Sequence, residues 1–222
     1  MASVSRVNDA AKRTAVSALS ERYGVPRYCP MTASPFRRFQ RAALLFLCCL
    51  SVRQGYGQQA ALALDGKSQD PFAGASGRVV VLVFLRTDCP VSNRYAPAIQ
   101  QIATRYQRES QFFLVFPAKS ASAQVIRKYI DAYDYKLPAL RDPQHVLVKQ
   151  AHAQITPEVA VFDKRGALVY HGRIDNLYGD FGRTRPAPTT HELDDAIQAA
   201  FKGTPVAVSE TSGVGCYISD LQ

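Results

Sequence analysis

The chain has 222 residues, of which 47% are hydrophobic and 20% charged, so it is long enough to fill one sizeable core or two small ones. This composition excludes a collagen-like chain, low-complexity disorder and a polytopic membrane protein. The formal charge of +9 is concentrated at one end, because residues 1–57 hold 9 Lys and Arg against 2 Asp and Glu, whereas residues 58–222 hold 18 against 16. Since the body of the chain is close to neutral, we expect no nucleic-acid partner.

The predicted domain organisation begins with a leader over residues 1–57. From Met31 onward the chain has a basic stretch, an eleven-residue apolar run (Ala42–Val52) and then small and polar residues. This layout is typical of a secretory signal peptide over about residues 31–57, and the apolar run is shorter than the roughly 20 residues of a membrane span. We therefore expect an extracytoplasmic protein, periplasmic or secreted, with Met31 as a candidate start. The alternatives are an uncleaved leader that tethers the protein to a membrane and a buried amphipathic helix.

A strand–helix–strand–helix alternation opens the body, which we predict to be one domain over residues 58–205. Residues 78–85 (RVVVLVFL) and 111–116 (QFFLVF) are apolar runs typical of strands buried on both faces of a sheet. After each run, apolar residues recur at helical spacing, over residues 95–106 and 125–133. This alternation predicts a mostly parallel α/β sheet.

Shorter elements are predicted for the second half of the body. In chain order they are a strand, a helix and the two strands of a hairpin, over residues 137–140, 145–152, 158–162 and 167–171. Thr189–Glu192 has the pattern of a capping box ahead of a last helix, which ends at Gly203. Residues 206–222 are expected to form an irregular tail that carries Cys216.

Cleavage of the leader is expected after Gly57 or among residues 60–63. Two of the five cysteines, Cys89 and Cys216, lie downstream of this region. In an oxidising compartment such thiols can form a disulfide, act as a working redox pair or serve separately. A separation of 127 positions leaves these alternatives open, because only the folded geometry decides whether two sulfurs meet.

Cys89 lies at the predicted junction between the first strand and the first helix. The unpaired N–H groups and the dipole at a helix N-terminus favour a thiolate, which is the nucleophile in disulfide exchange and peroxide reduction. Pro90 suits the first helical position, and the Thr87 or Ser92 hydroxyl can donate a hydrogen bond to the sulfur. We therefore predict that Cys89 is a nucleophile, ionised and open to an incoming molecule, with Thr87 and Ser92 tuning it. The alternative is a buried structural cysteine.

Three segments of the chain resemble one known superfamily. They are Val80–Pro97 (VVLVFLRTDCPVSNRYAP), Ile155–Glu158 (ITPE) ahead of a strand, and the turn Phe162–Gly166 (FDKRG). Together they resemble the thioredoxin-like superfamily, in particular its redoxin or alkyl hydroperoxide reductase/thiol-specific antioxidant (AhpC/TSA) branch, over about residues 60–205. The resemblance implies a thioredoxin-like α/β fold, with a central mixed β-sheet and helices on both of its faces.

The same resemblance implies a substrate site beside the active cysteine. In that superfamily the peptide bond that corresponds to Thr156–Pro157 is cis, and its backbone holds the incoming substrate. We therefore expect Thr156 and Pro157, together with Pro90, to bind the substrate.

The chain departs from both common patterns of this superfamily. Where a thioredoxin has Cys-x-x-Cys, this chain has Cys89-Pro-Val-Ser92, so the usual resolving thiol is missing. A peroxiredoxin has a threonine three residues before its cysteine, but Thr87 is only two before Cys89. Arg86 and Arg141 are the candidates for the positive charge that such sites contain. The resemblance therefore favours thiol redox chemistry in general over peroxide reduction in particular.

Cys216 follows Gly213–Gly215, a flexible segment that would allow it to fold back onto Cys89. In that interpretation Cys216 is the resolving partner that converts a Cys89 sulfenic acid or mixed disulfide into an internal disulfide. The alternatives are an unpaired tail thiol and a bond to another chain.

The predicted function is that of an exported, antioxidant thiol-dependent oxidoreductase of the redoxin type. Its substrate would be a thiol or disulfide protein or a small peroxide, with an external thiol as reductant and no cofactor. The alternative is a non-catalytic thioredoxin-fold module that binds a partner protein or Cu(I), which thiolates suit. We expect no metal site, since His145 and His152 are too far apart along one short helix to share an ion, and His171 and His191 lie in separate elements.

Overall fold

The computed structural model describes residues 61–75, 77–180 and 182–219. The predicted leader, with its signal peptide and the candidate start at Met31, lies outside the described residues. Within the described ranges, every helix is too short or too polar for a membrane span.

Ten strands and four helices make up the described part of the chain. The strands are β1 (Leu62–Ala63), β2 (Val79–Phe84), β3 (Ser110–Phe116), β4 (Ala139–Arg141), β5 (Ile155–Thr156), β6 (Glu158–Phe162), β7 (Leu168–Gly172), β8 (Tyr178–Asp180), β9 (Arg183–Thr184) and β10 (Cys216–Tyr217). The helices are α1 (Pro90–Arg105), α2 (Ala123–Ala132), α3 (Val146–Ala151) and α4 (Glu192–Lys202). The elements predicted from apolar runs and helical spacing are therefore present, with ends that shift by a few residues.

Six strands form one mixed sheet in the order β1-β4-β3-β2-β6-β7. The neighbours β2–β3 and β3–β4 are parallel, whereas β1–β4, β2–β6 and β6–β7 are antiparallel. Two small sheets, β5–β10 and β8–β9, lie outside it. The α/β architecture with a central mixed sheet, which the resemblance implies, is confirmed. The mostly parallel sheet predicted from the strand–helix alternation is wrong, because three of the five neighbouring pairs in this sheet are antiparallel.

The central strand β2 explains why the sheet carries helices on both faces. All six of its residues, VVVLVF, are buried, so alternate side chains need an apolar cover on opposite sides of the sheet. Val79, Val81 and Val83 pack in a cluster with residues of α1, α2 and α4. Val80, Leu82 and Phe84 pack in a second cluster with residues of α3. Each fully buried side chain of this size contributes about 1.5–3 kcal/mol relative to exposure, and the two clusters anchor the carboxyl end of β2, where the site lies.

The predicted capping box at Thr189–Glu192 is wrong. The residue at the N-cap of α4 is His191, and it makes no side-chain capping hydrogen bond. Glu192 instead pairs with the Arg173 guanidinium, whose Nε donates to Glu192 Oε1 over 3.0 Å, and accepts the Thr190 hydroxyl over 2.7 Å. A charge-assisted pair of this kind is about twice as strong as a neutral hydrogen bond, so the carboxylate pairs with Arg173 and does not reach back to the amide of Thr189 as a capping box would require. The predicted end of this helix is confirmed, since Gly203 is its C-cap with φ of 71°.

The C-terminal tail is more regular than its sequence indicates. Residues 216–217 form β10, and the amide of His171 donates to the Ser209 carbonyl over 3.0 Å. The tail also contributes to the core, because Ile218 is 5% exposed and packs in the same cluster as Phe84 and Leu147. The tail, which the sequence predicts to be irregular, therefore packs along the body of the domain.

Candidate active site

Cys89 lies where β2 gives way to α1, as predicted. Its backbone is extended, with φ of −89° and ψ of 113°, and it is the N-cap of the helix. Its carbonyl accepts the amide of Asn93 over 3.1 Å, and Pro90 occupies the first turn, where a missing N–H leaves no hydrogen bond unmade. The Cys89 side chain is thus next to the free amides of a 16-residue helix.

The Thr156–Pro157 peptide bond is cis, as the resemblance implies. The Cys89 sulfur lies 3.1 Å from the Thr156 carbonyl oxygen, to which the protonated form of the thiol donates a hydrogen bond. Thr156 is itself fully buried. The fold therefore brings together the predicted nucleophile and the predicted substrate-binding segment, which are 67 residues apart in the chain.

The expectation that Cys89 is open to an incoming molecule is wrong for this conformation, because its exposed fraction is 0%. The tail provides the cover: β10 pairs antiparallel with β5, with Cys216 opposite Thr156 and Tyr217 opposite Ile155. The Thr156 hydroxyl also donates to the Cys216 carbonyl over 3.2 Å. The sulfur is thus enclosed by the protein's own C-terminal strand.

The Cys89 thiolate is stabilised in spite of this burial. Burial by itself raises the pKa of the Cys89 thiol, but hydrogen bonds from the Ser92 amide and hydroxyl, the Cys216 thiol and the Val91 amide lower it, and the net pKa is below its ordinary value. The Ser92 hydroxyl is buried and has no other hydrogen-bond partner within the described residues, which leaves its O–H free to orient toward the sulfur. The helix start predicted to ionise Cys89 is therefore the source of most of these donors.

The pKa of the Cys216 thiol, in contrast, is raised. Burial, its hydrogen bond to Cys89 and the negative charge of the Cys89 thiolate together raise the pKa of the Cys216 thiol to about 11, while the Arg86 charge lowers it. Both cysteines of the described ranges are free thiols. The two titrations are therefore coupled, and as the pH rises Cys89 loses its proton before Cys216 does.

Arg86 is the candidate cation that the structure places at the site. Its guanidinium pairs with Asp88 over 2.8 and 3.0 Å and donates from Nη1 to the Tyr217 carbonyl over 3.2 Å. Its hydrogen bond lowers the pKa of the Asp88 carboxyl. The other candidate, Arg141, lies in β4 and donates to the Ala121 carbonyl over 3.0 Å.

Thr87 does not take the tuning role predicted for it. The residue is half-buried, and its hydroxyl makes no hydrogen bond to the sulfur among the described residues. The physical reason is position: Thr87 precedes the helix, whereas the donors that reach Cys89 come from the first turn after it.

Glu158 is a residue of the site that the sequence reasoning missed. It is 5% exposed, and its Oε2 accepts the amides of Gln154 and Ile155 over 2.8 and 3.0 Å. Its Oε1 lies 3.4 Å from Nδ1 of His171. The carboxylate therefore fixes the backbone of β5, against which Cys89 and the tail both pack. A single acidic residue at the start of an otherwise apolar strand (EVAVF) was the available signal.

Groups of three or more His, Cys, Asp and Glu side chains with the geometry of a metal site do not occur within the described residues. His152 and His171, from separate elements, do come together, with ring centroids 5.7 Å apart.

Comparisons with known proteins agree with this architecture. Two crystal structures resemble it, an uncharacterized conserved protein from Geobacillus kaustophilus (22% identity, TM-score 0.61, covering 72% of this chain and 86% of that one) and a hypothetical protein from Sinorhizobium meliloti 1021 (21%, 0.59, 71% and 88%). A secreted Mycobacterium tuberculosis disulfide oxidoreductase has a TM-score of only 0.45 at 20% identity over 63% of this chain and 93% of that one, a likeness too low to carry function or location. Curated proteins give no significant match.

The family model of the AhpC/TSA family matches residues 61–171, which is half of the chain. The matched range contains the Cys89 junction, the cis Thr156–Pro157 bond and Glu158. The chain therefore belongs to the AhpC/TSA family of the thioredoxin-like superfamily.

Proposed function

We propose that this protein is a thiol-dependent oxidoreductase in which Cys89 is the nucleophile and Cys216 the resolving thiol. The observation that carries the proposal is the placement of the two cysteines: Cys216 lies opposite Thr156 in the β5–β10 pair, and the Thr156 carbonyl oxygen is 3.1 Å from the Cys89 sulfur. The pKa of Cys89, lowered in part by Cys216, agrees with this placement. A structural cysteine buried among apolar side chains would have its pKa raised. Membership of the AhpC/TSA family supports the same chemistry.

With a disulfide substrate R–S–S–R′, the Cys89 thiolate attacks one sulfur and forms a mixed disulfide, while R′–S⁻ leaves. Cys216 then loses its proton and attacks the Cys89 sulfur, which forms the Cys89–Cys216 disulfide and releases R–S⁻. The two electrons that reduce the substrate come from the two protein thiols, and an external dithiol restores them. With a peroxide ROOH, Cys89 becomes a sulfenic acid as ROH leaves, and Cys216 condenses with it and releases water.

The pKa values of the pair support this order of steps. Burial is the main reason that the pKa of Cys216 is raised to about 11, and the hydrogen bond and charge repulsion from the Cys89 thiolate are the next reasons. Once Cys89 is in a mixed disulfide it has no negative charge, so the last two causes disappear while the positive charge of Arg86 remains. The pKa of Cys216 therefore falls at the step in which Cys216 has to act as a thiolate.

The experiment is a paired assay of Cys89→Ser and Cys216→Ser with an insulin disulfide and with hydrogen peroxide. Cys89→Ser is expected to abolish turnover of both substrates, whereas Cys216→Ser retains the first step and accumulates a Cys89 mixed disulfide or sulfenic acid. Non-reducing peptide mapping of the oxidised wild type is expected to yield a linked Cys89–Cys216 peptide. Turnover by Cys89→Ser, or two free thiols after mild oxidation, contradicts the proposal and favours the non-catalytic binding module.

We also propose that the protein acts outside the cytoplasm, which the signal-peptide layout of residues 31–57 supports. N-terminal sequencing of the protein recovered from its native host checks this. A start within residues 58–64 is the expected result, and a cytoplasmic protein that begins at residue 1 or at Met31 contradicts the proposal.

A further inference from the structure

The short strand β5 presents a backbone edge beside the nucleophile, and the chain's own C-terminus occupies it. Residues 216–217 pair with this edge, and the amide of Ile218 extends the contact by donating to the Gln154 carbonyl over 2.9 Å. An extended polypeptide that approached Cys89 along β5 would need these same backbone groups. The edge therefore cannot hold the tail and another polypeptide at the same time.

Separate anchors hold the tail on both sides of Cys216. After the cysteine, Arg86 donates to the Tyr217 carbonyl over 3.2 Å, and the Ile218 side chain is 5% exposed. Before it, the Thr211 hydroxyl is 2.7 Å from the Tyr170 hydroxyl and accepts the Arg173 amide over 3.0 Å. Each of these contacts is small by itself, so we expect the tail to be released without unfolding of the central sheet.

Gly215 is the position where the tail fits most closely. A Cβ atom there would overlap the backbone carbonyl oxygen of Thr156, which cannot move without disturbing the cis-proline segment. Gly213 lies nearby and is less restricted, since a Cβ there would be 2.7 Å from Cδ1 of Ile155, the end of a flexible side chain. The pair of glycines therefore offers a disruptive substitution and a matched control within the same segment.

We propose that residues 213–218 are an intramolecular gate: they occupy the polypeptide-binding edge of β5 in the reduced protein and have to leave before a bulky disulfide reaches Cys89. This inference deepens the proposed function and rests on Cys89 as the reacting thiol. It assigns the tail a steric role that is separate from the covalent role of Cys216. It also explains why a thiol with a lowered pKa has an exposed fraction of 0%.

The test measures access to Cys89 in the full chain with Cys216→Ser, in which the serine keeps the tail in place but removes the second thiol of the site. This parent is compared with the same chain carrying Gly215→Ala or Gly213→Ala. Each is treated with a polyethylene glycol maleimide and, separately, with iodoacetamide, and mass spectrometry follows loss of the unmodified Cys89 peptide, so that the leader cysteines do not interfere.

Gly215→Ala is expected to raise the rate with the bulky maleimide by about tenfold or more, with a smaller increase for iodoacetamide, because a local opening controls access. Gly213→Ala is expected to stay within about twofold of the parent. Equal maleimide rates for Gly215→Ala and the parent overturn the gate. An equal increase for both glycine variants overturns it as well, since the close fit of Gly215 would then not be the cause.

A second variant and a second measurement separate release of the tail from loss of the fold. Ile218→Ser removes the apolar anchor without touching β5 and is expected to raise the maleimide rate like Gly215→Ala. Hydrogen exchange is expected to increase at residues 209–218 and to stay unchanged in β2 and β3, and unchanged exchange at residues 209–218 contradicts the proposal. Alkylation needs no turnover, so the two proposals can fail separately. If the glycine variants differ in alkylation rate as expected but the protein reduces neither insulin nor peroxide, only the proposed function is refuted. If the protein is active but the alkylation rates are equal, only the gate is refuted.

Discussion

Glu158→Ala is expected to destabilise the protein and to do so through the backbone of β5. The wild-type carboxylate accepts the amides of Gln154 and Ile155 with a single oxygen atom, over 2.8 and 3.0 Å, at a position that is 5% exposed. Alanine offers no acceptor for either amide in the turn that leads into the cis-proline segment. The substitution therefore leaves two N–H groups without hydrogen bonds.

The size of the effect follows from these two groups. An N–H group that loses its partner in a buried place costs about 1–3 kcal/mol, so two of them cost about 2–6 kcal/mol. The amides are only partly buried and water can reach them in part, which places the expected loss at about 2–4 kcal/mol. Glu158→Gln keeps a carbonyl oxygen for the same amides and is expected to cost about half as much or less, because only the charge-assisted part of the bonds is lost.

Urea denaturation of the reduced wild type and the two variants measures these differences as changes in the free energy of unfolding. Equal denaturant slopes for the three proteins would show that the variants unfold in the same two-state manner. A loss below about 1 kcal/mol for Glu158→Ala, the range typical of exposed substitutions, would refute the reasoning. It would mean that the amides of β5 do not depend on this carboxylate.

Two further predictions concern ionisation. Ser92→Ala is expected to raise the pKa of the Cys89 thiol, because the lost hydroxyl stabilises the thiolate, whereas Thr87→Ala is expected to leave this pKa unchanged. The pH dependence of alkylation with iodoacetamide measures the pKa in both variants. A larger rise with Thr87→Ala than with Ser92→Ala would contradict the assignment. Burial raises the pKa of the Glu192 carboxyl, but hydrogen bonds from Arg173 and Thr190 outweigh it, so the pKa lies below the ordinary 4.5. The stability that Glu192 contributes is therefore present above pH 4.5 and is lost as the pH falls through the lowered pKa, and Glu192→Gln is expected to flatten this part of the melting-temperature profile.

The parts of the fold that sequence patterns predicted are those in which local residues carry the whole signal. The run VVVLVF has no polar residue and is rich in β-branched side chains, which is typical of a strand covered on both faces, and the structure buries all six residues. The Asp163–Gly166 turn was also predictable from local residues. Gly166 has φ of 80°, a conformation that other residues avoid, so a glycine at this position indicates a turn. The capping box failed because Glu192 had a stronger partner, Arg173, 19 residues away.

The candidate site also has features that local sequence predicts and features that depend on long-range contacts. The sequence by itself placed Cys89 between a strand and a helix, and the family motif placed a proline that would lie next to it, because both features are encoded in runs of a few residues. Only the tertiary structure decided that the tail folds over the site, so that Cys216 meets a cysteine 127 positions away and hides it from solvent. That outcome depends on backbone pairing with β5, on the space that Gly215 leaves and on the Glu158 carboxylate beneath, which are long-range contacts without a local pattern.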